Sequence, residues 1–237
     1  MKDFSNNLLG YKILILLSMI YMSIMLCNAV LTNRYVGSDE LFILGGTLTS
    51  PFIFILDSII SEIYGYKITR TMILFGYAAQ TLFVLLCQAA IIMPHPHFFI
   101  HNEDYSNILG SSLLRINISG FLAYIIANLS NTYVMTKWKA LLKGRYFWLR
   151  SIGASSFSAA IYSFCAILMM EMNAIPIRDI LKIVAASYLI KISYAFIFCL
   201  PAALLVNKIK KITGIDIYDF QPIFTPLKYK RGAEAYD

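Results

Sequence analysis

Residues 51–70 read PFIFILDSIISEIYGYKITR. The first eleven are apolar except for Asp57 and two serines, and the last nine hold Glu62, Lys67, Arg70 and the Tyr64-Gly65 step. An apolar run that closes on a charged, glycine-containing turn reads as a helix leaving a lipid core, with glycine free to take positive φ at the turn. The surrounding chain agrees. Of its 237 residues, 59% are hydrophobic and 14% charged, and mean hydropathy is +0.67. A soluble domain carries about a quarter charged residues, so a water-soluble enzyme is excluded. Disorder is excluded by the wealth of Ile, Leu, Val and Phe. Cys27, Cys87, Cys165 and Cys199 each lie inside an apolar run, which argues against a disulfide-stapled secreted module.

A membrane-crossing helix needs roughly 20 apolar residues to cover about 30 Å. Six stretches qualify, at 11–32, 41–62, 71–93, 113–134, 152–171 and 179–206. The ten-residue alternation of a membrane barrel is missing. Lys and Arg are retained on the cytoplasmic side during insertion. Lys2, Lys12, Lys67, Arg70, Lys137, Lys139, Lys143, Arg145, Arg150, Lys208, Lys210, Lys211, Lys228, Lys230 and Arg231 all fall on one side of this plan, 15 of the 20 positive residues. The expected fold is therefore an all-α integral membrane protein with six transmembrane helices and both termini cytoplasmic. One domain spans 1–210, followed by a basic cytoplasmic tail over 211–237. The net charge of +7 is a topology signal, so lipids are expected as partners and nucleic acid is not.

Charges at membrane depth cost about 2.5–3.5 kcal/mol on insertion scales and mark partners, cavities or function. Asp57 and Glu62 are five residues apart, which turns a helix by about 500° and points them ~140° apart, so they form no shared-proton dyad. Asp57 suits either an N–H edge of a substrate or proton exchange, with a structural ion pair as the alternative. Glu62 suits a gate or a helix-end ion pair, with Lys67 and Arg70 as candidate partners. Lys191 lies too deep to snorkel and is expected to meet Asp57 or the substrate. Asn28, Arg115, Asn117, Asn128 and Asn131 offer polar groups for a cavity or for interhelical bonds. Phe52, Phe54 and Tyr124 are placed to stack on a planar ring or simply to pack. His95, His97 and His101 share one Pro-broken loop and are expected to be solvated rather than to hold metal. No hydrolase elbow, zinc helix or phosphate loop is present, so neither an enzyme nor a cofactor is expected.

The run DSIISEIYGYKITR, with Asp57, Glu62, Tyr64, Gly65 and Arg70, resembles the signature of the queuosine precursor transporter family, also called vitamin uptake transporters. The likeness extends to Asn28, Pro51 to Phe54, Arg115 with Tyr124, Trp148 to Arg150 followed by Ser155-Ser156, and Lys191 before Pro201. It implies import of a 7-deazaguanine precursor of queuosine, such as 7-cyano-7-deazaguanine, across a bacterial cytoplasmic (inner) membrane. The residues it would recruit for the heterocycle are Asn28, Phe52, Asp57, Glu62, Arg115, Asn128 and Lys191. The fifth span departs from the family pattern: Ile161-Tyr162-Ser163-Phe164 stands where an Asp followed by Thr or Ser is usual. A related nucleobase or vitamin-like compound thus remains an alternative cargo. Alternatives to a secondary transporter are the substrate-binding subunit of an ATP-driven importer and a non-transporting scaffold. Homo-oligomers stay open.

Overall fold

The computed structural model describes residues 2–39, 42–172 and 175–219, with side chains from Leu8 onward. The elements run α1 (Lys2–Leu31), β1 (Tyr35–Gly37), β2 (Phe42–Leu44), α2 (Gly46–Ile92), α3 (Asn102–Leu109), α4 (Ser111–Leu141), α5 (Phe147–Glu171) and α6 (Ile177–Thr213). Five of the helices are long and apolar enough to cross a membrane, among the described residues. Their outward faces carry Ile15, Leu16, Met19, Phe75, Leu82, Leu86, Phe196, Ile197 and Leu204, all exposed. Their inward faces carry Asn, Ser, Thr and ionisable groups. That polarity is inverted relative to a water-soluble bundle and matches a lipid surround.

Six separate spans are expected and five such helices are found, because the stretches expected at 41–62 and 71–93 are joined in α2. Gly65 interrupts this 47-residue helix at φ 81° and ψ 174°. Ile53 and Tyr77 would be about 36 Å apart along a straight helix, yet they line the same small pocket. The helix therefore doubles back at Gly65, giving arms over 46–64 and 66–92. Only glycine is at ease at that φ. The start of α2 is also later than expected, because residues 42–44 pair as an antiparallel strand with residues 35–37 in a hairpin, Tyr35 opposite Leu44.

The largest core packs Leu17, Tyr21 and Met25 of α1 against Ile53, Leu56 and Ile60 of α2, with Ala202 and Val206 of α6. A second core, formed by Leu44, Ile116, Ile167, Met170, Ile180 and Ile183, lies under the hairpin. At the opposite end α6 runs past the expected boundary at 210 and stops at Gly214, whose φ of 71° and N–H bond to the Lys210 carbonyl end the helix. Residues 214–219 then cross the end of the bundle as a strap. Ile217 N–H donates to the Ile63 carbonyl (3.1 Å), and Asp219 Oδ2 accepts from Tyr66 N–H (2.6 Å). The rest of the expected tail, 220–237, lies outside the described residues.

Candidate functional site

A polar pocket sits in the half of the bundle nearer the hairpin. It is lined by Asn28 of α1 and Thr32 just beyond that helix, Ile53, Tyr77 and Gln80 of α2, Asn117, Gly120 and Tyr124 of α4, and Tyr162 of α5. Apolar helices place these groups by periodicity: Asn117, Gly120, Tyr124, Asn128 and Asn131 recur at three or four residues and share one face of α4. Gln80 Nε2 donates to Asn117 Oδ1 (3.0 Å), Thr49 Oγ1 donates to Asn28 Oδ1 (2.8 Å), and the Tyr77 hydroxyl donates to the Asn117 carbonyl (2.5 Å). Rings of Tyr77 and Tyr124 stand 5.4 Å apart at 36°. The pocket as a whole has room for about one water. The conformation is thus closed around its pocket, and a planar bicyclic ring enters only if the helices part.

Two ionisable groups lie behind the tyrosines. Asp57 is 0% exposed, and the Tyr21 hydroxyl faces its carboxyl. The Tyr21 and Tyr124 hydroxyls, bonded to each other, stand within electrostatic range of it. Lys191 Nζ donates to Ser163 Oγ (2.8 Å) and Ser187 Oγ (2.6 Å). It also lies 5.3 Å from the centre of the Tyr162 ring. The expected Asp57–Lys191 pair is not formed: Lys191 meets hydroxyls and a ring face. Ser163 of α5, Ser187 of α6 and the Tyr162 ring are the groups that hold it.

A model of the putative vitamin uptake transporter family matches residues 44–206. The chain belongs to this family. No curated protein and no solved structure matches the chain. The matched span takes in every helix of the pocket except α1, and it includes Asp57, Glu62 and Lys191.

In this uptake transporter family member the residues singled out by sequence separate into groups. Asn28 lines the pocket. Asn128 lies one turn below Tyr124, whose carbonyl accepts from its Nδ2 (2.8 Å). Phe52 stands apart, packed edge-on to Tyr194 and Phe198 at 5.4 and 5.2 Å. Arg115 is exposed at the hairpin end. Glu62 is buried in an ion cluster at the strap end, and its partners are Arg150 and Lys210 rather than Lys67 or Arg70. Arg150 Nη1 and Nη2 donate to its two oxygens (2.6 and 3.2 Å), and Lys210 Nζ donates to Oε1 (2.6 Å). Of the loop histidines, His101 pairs with Asp104 (3.1 Å) on the surface. Gln80 and Tyr77 escaped the sequence reading. One signal was available: Gln80 is an amide inside an apolar run at the same helical face as Tyr77.

Both ends of the bundle are fastened. At the strap end buried Lys139 Nζ donates to Asp216 Oδ1 (2.5 Å), the Ile217 carbonyl (2.6 Å) and the Glu62 carbonyl (2.7 Å). Burial works against ionisation of Asp216, but the bonds from Lys139 and Lys210 outweigh it and hold its carboxyl below the usual range. At the hairpin end the Tyr35 hydroxyl donates to buried Glu171 Oε2 (2.6 Å). Burial, that bond and the Glu171 charge push the Tyr35 phenol up to about 12.

Proposed function

We propose that the chain is a multi-pass transporter of the bacterial inner membrane that imports a planar nucleobase-like compound, with a 7-deazaguanine precursor of queuosine as the cargo. The observation that carries this reading is the pocket of three amides and three tyrosines, enclosed in lipid-facing helices and fastened at both ends. Asn28, Gln80 and Asn117 supply donors and acceptors for a heterocycle edge. Tyr77, Tyr124 and Tyr162 supply faces for its ring. Counting the two arms of α2 separately, the chain makes six passes with both termini cytoplasmic, at the end where basic residues gather.

Asp57 and Lys191 act in this reading once Tyr124 and Tyr162 move aside. The carboxyl accepts from the amino and ring N–H groups, and the ammonium donates to a carbonyl. Arg115 and Phe52 take part only in an opened state. Proton coupling through Asp57 supports accumulation against a gradient, and Glu62 serves as the inner gate.

The test is uptake by the purified chain in liposomes, alongside rescue of queuosine in tRNA in a precursor-auxotrophic strain lacking its own transporter. Uptake of 7-cyano-7-deazaguanine by the chain alone is expected. Binding without uptake would instead mark a subunit of an ATP-driven importer. Asp57→Asn is expected to abolish the pH dependence of uptake while retaining equilibrium binding, and unchanged uptake by Asp57→Ala would remove Asp57 from the mechanism.

A further inference from the structure

We infer that Tyr21 and Met25 of α1 are positioning residues: with Tyr124 of α4 they form a hydrogen-bonded row that reverses direction when Asp57 loses its proton, and so reports that loss to the pocket. Asp57, Tyr21 and Met25 are each 0% exposed. None of the three lines the pocket, whereas Tyr124 does. Tyr21 and Met25 are four residues apart and share one face of α1. The Tyr21 hydroxyl faces the Asp57 carboxyl and is bonded to the Tyr124 hydroxyl, which in turn donates to Met25 Sδ (3.1 Å). The row therefore runs Asp57, Tyr21, Tyr124, Met25. Tyr77, on the second arm of α2, and Tyr162, on α5, face Tyr124, while the buried cation of α6, Lys191, is bonded to Ser163 and Ser187.

Counting hydrogens sets the direction. A thioether sulfur only accepts, and each phenol has one hydrogen to give. With the Tyr124 hydrogen on Met25, the bond between the two phenols takes its hydrogen from Tyr21. The Tyr21 oxygen is then left to accept, which the row allows only from a protonated Asp57 carboxyl. An ionised carboxyl accepts only. Tyr21 then turns its hydrogen to Asp57, and Tyr124 gives its own to Tyr21 instead of Met25. A proton can follow the same row while the pocket is closed. The carboxyl proton passes to the Tyr21 oxygen as the Tyr21 proton passes to the Tyr124 oxygen, and the Tyr124 proton leaves to a base in the pocket, water or a ring nitrogen. One proton crosses, neither phenol is left charged, and the row ends reversed. The Tyr124 oxygen, released from the Tyr21 bond, is then free to accept from an N–H of the cargo. The use of this reversal in uptake rests on the transport reading, whereas the reversal itself rests on the row.

The test is infrared difference spectroscopy of the purified protein, without cargo, across a pH titration. The Asp57 carboxyl band is identified by its loss in Asp57→Asn. The Tyr124 C–O band, which differs between a phenol donating to sulfur and one donating to oxygen, is identified by its loss in Tyr124→Phe. In the parent the Tyr124 band is expected to shift at the pH where the Asp57 carboxyl ionises. In Tyr21→Phe, which keeps the ring and cuts the row, it is expected to stay fixed. A Tyr124 band that stays fixed in the parent, or that still follows Asp57 in Tyr21→Phe, overturns the inference, as does an Asp57 carboxyl that never ionises. Should Tyr21→Phe fail to fold, Met25→Leu carries the comparison: its low-pH Tyr124 band is expected to differ from the parent's, and an identical band overturns the row. In liposomes that take up 7-cyano-7-deazaguanine, Tyr21→Phe is expected to flatten the pH profile of uptake. A parental profile in that variant overturns the inference alone, whereas absence of uptake by the parent overturns the transport reading and leaves the spectra to decide the row.

Discussion

Arg150 is fully buried and donates from both terminal guanidinium nitrogens to Glu62, whose Oε1 also accepts from Lys210, so opposite charges meet where water is excluded. Removing Glu62 leaves the Arg150 guanidinium buried without its carboxylate. Glu62→Ala is expected to destabilise the folded state by about 3–5 kcal/mol, whereas the double change Glu62→Leu with Arg150→Met is expected to cost less. Denaturation midpoints of Glu62→Leu, Arg150→Met and their double change decide this, and additive losses would refute it. The depth of Glu62 was legible in the sequence, since its run is apolar. Its partner was not. Lys67 and Arg70 are near in sequence, but Lys67 is exposed and the Arg70 guanidinium lies over the Tyr66 ring at 5.9 Å. Arg150, 88 residues away, is chosen by the packing of α5 on α2, which no local pattern encodes. The same holds for Lys191: its depth was readable, while its serine partners depend on where α5 comes to rest.

The α2 hairpin and the strap form one device. Gly65 sits at a φ that other residues rarely adopt, and a Cβ built there would approach Asp219 Oδ2 at 2.7 Å and Ile217 at 2.9 Å. Gly65→Ala is therefore expected to lose about 1–3 kcal/mol from the backbone alone, and to loosen the strap as well. Hydrogen exchange at residues 214–219 should rise in this variant, and unchanged protection there would separate the two effects. The strap also responds to acid. The Asp216 carboxyl is depressed in the folded state, so it adds stability that is fully present above its ordinary value near 4 and is lost as pH falls through the lower folded value. Exchange in the strap is expected to quicken below about pH 4 in the parent. In Asp216→Asn it should be fast at neutral pH and lack that acid step. Elements of this kind were partly readable. Apolar length gave the helices and Tyr64-Gly65 gave the turn, but the three-residue strands at Tyr35–Gly37 and Phe42–Leu44 are too short to show alternation. The strap reads as a polar tail until its partners Lys139, Ile63 and Tyr66 are in place.

Across the whole molecule, the pocket lies between two fastenings that share no residue. Glu171 and Tyr35 hold the hairpin end, while Lys139, Lys210 and Asp216 hold the strap end. A carrier that exposes its pocket to one side at a time needs one end shut whenever the other opens, so the two fastenings should be separable by mutation and jointly required for a tight membrane. Tyr35→Phe removes the donor to buried Glu171, and Lys139→Met removes the hub of the strap with little change of side-chain length. In a background with Cys27, Cys87, Cys165 and Cys199 replaced by alanine, a Gln80→Cys reporter in the pocket is read with a membrane-impermeant thiol reagent added to one side of a vesicle. Tyr35→Phe should speed labelling from the hairpin side only, and Lys139→Met from the strap side only. Each single variant should still hold a proton gradient, because the opposite end closes. The double variant should dissipate it, since both ends then spend time open together. If the double variant holds the gradient as well as the parent while both singles label faster, the ends are not alternating gates and the pocket is reached from both sides by some other motion of the bundle.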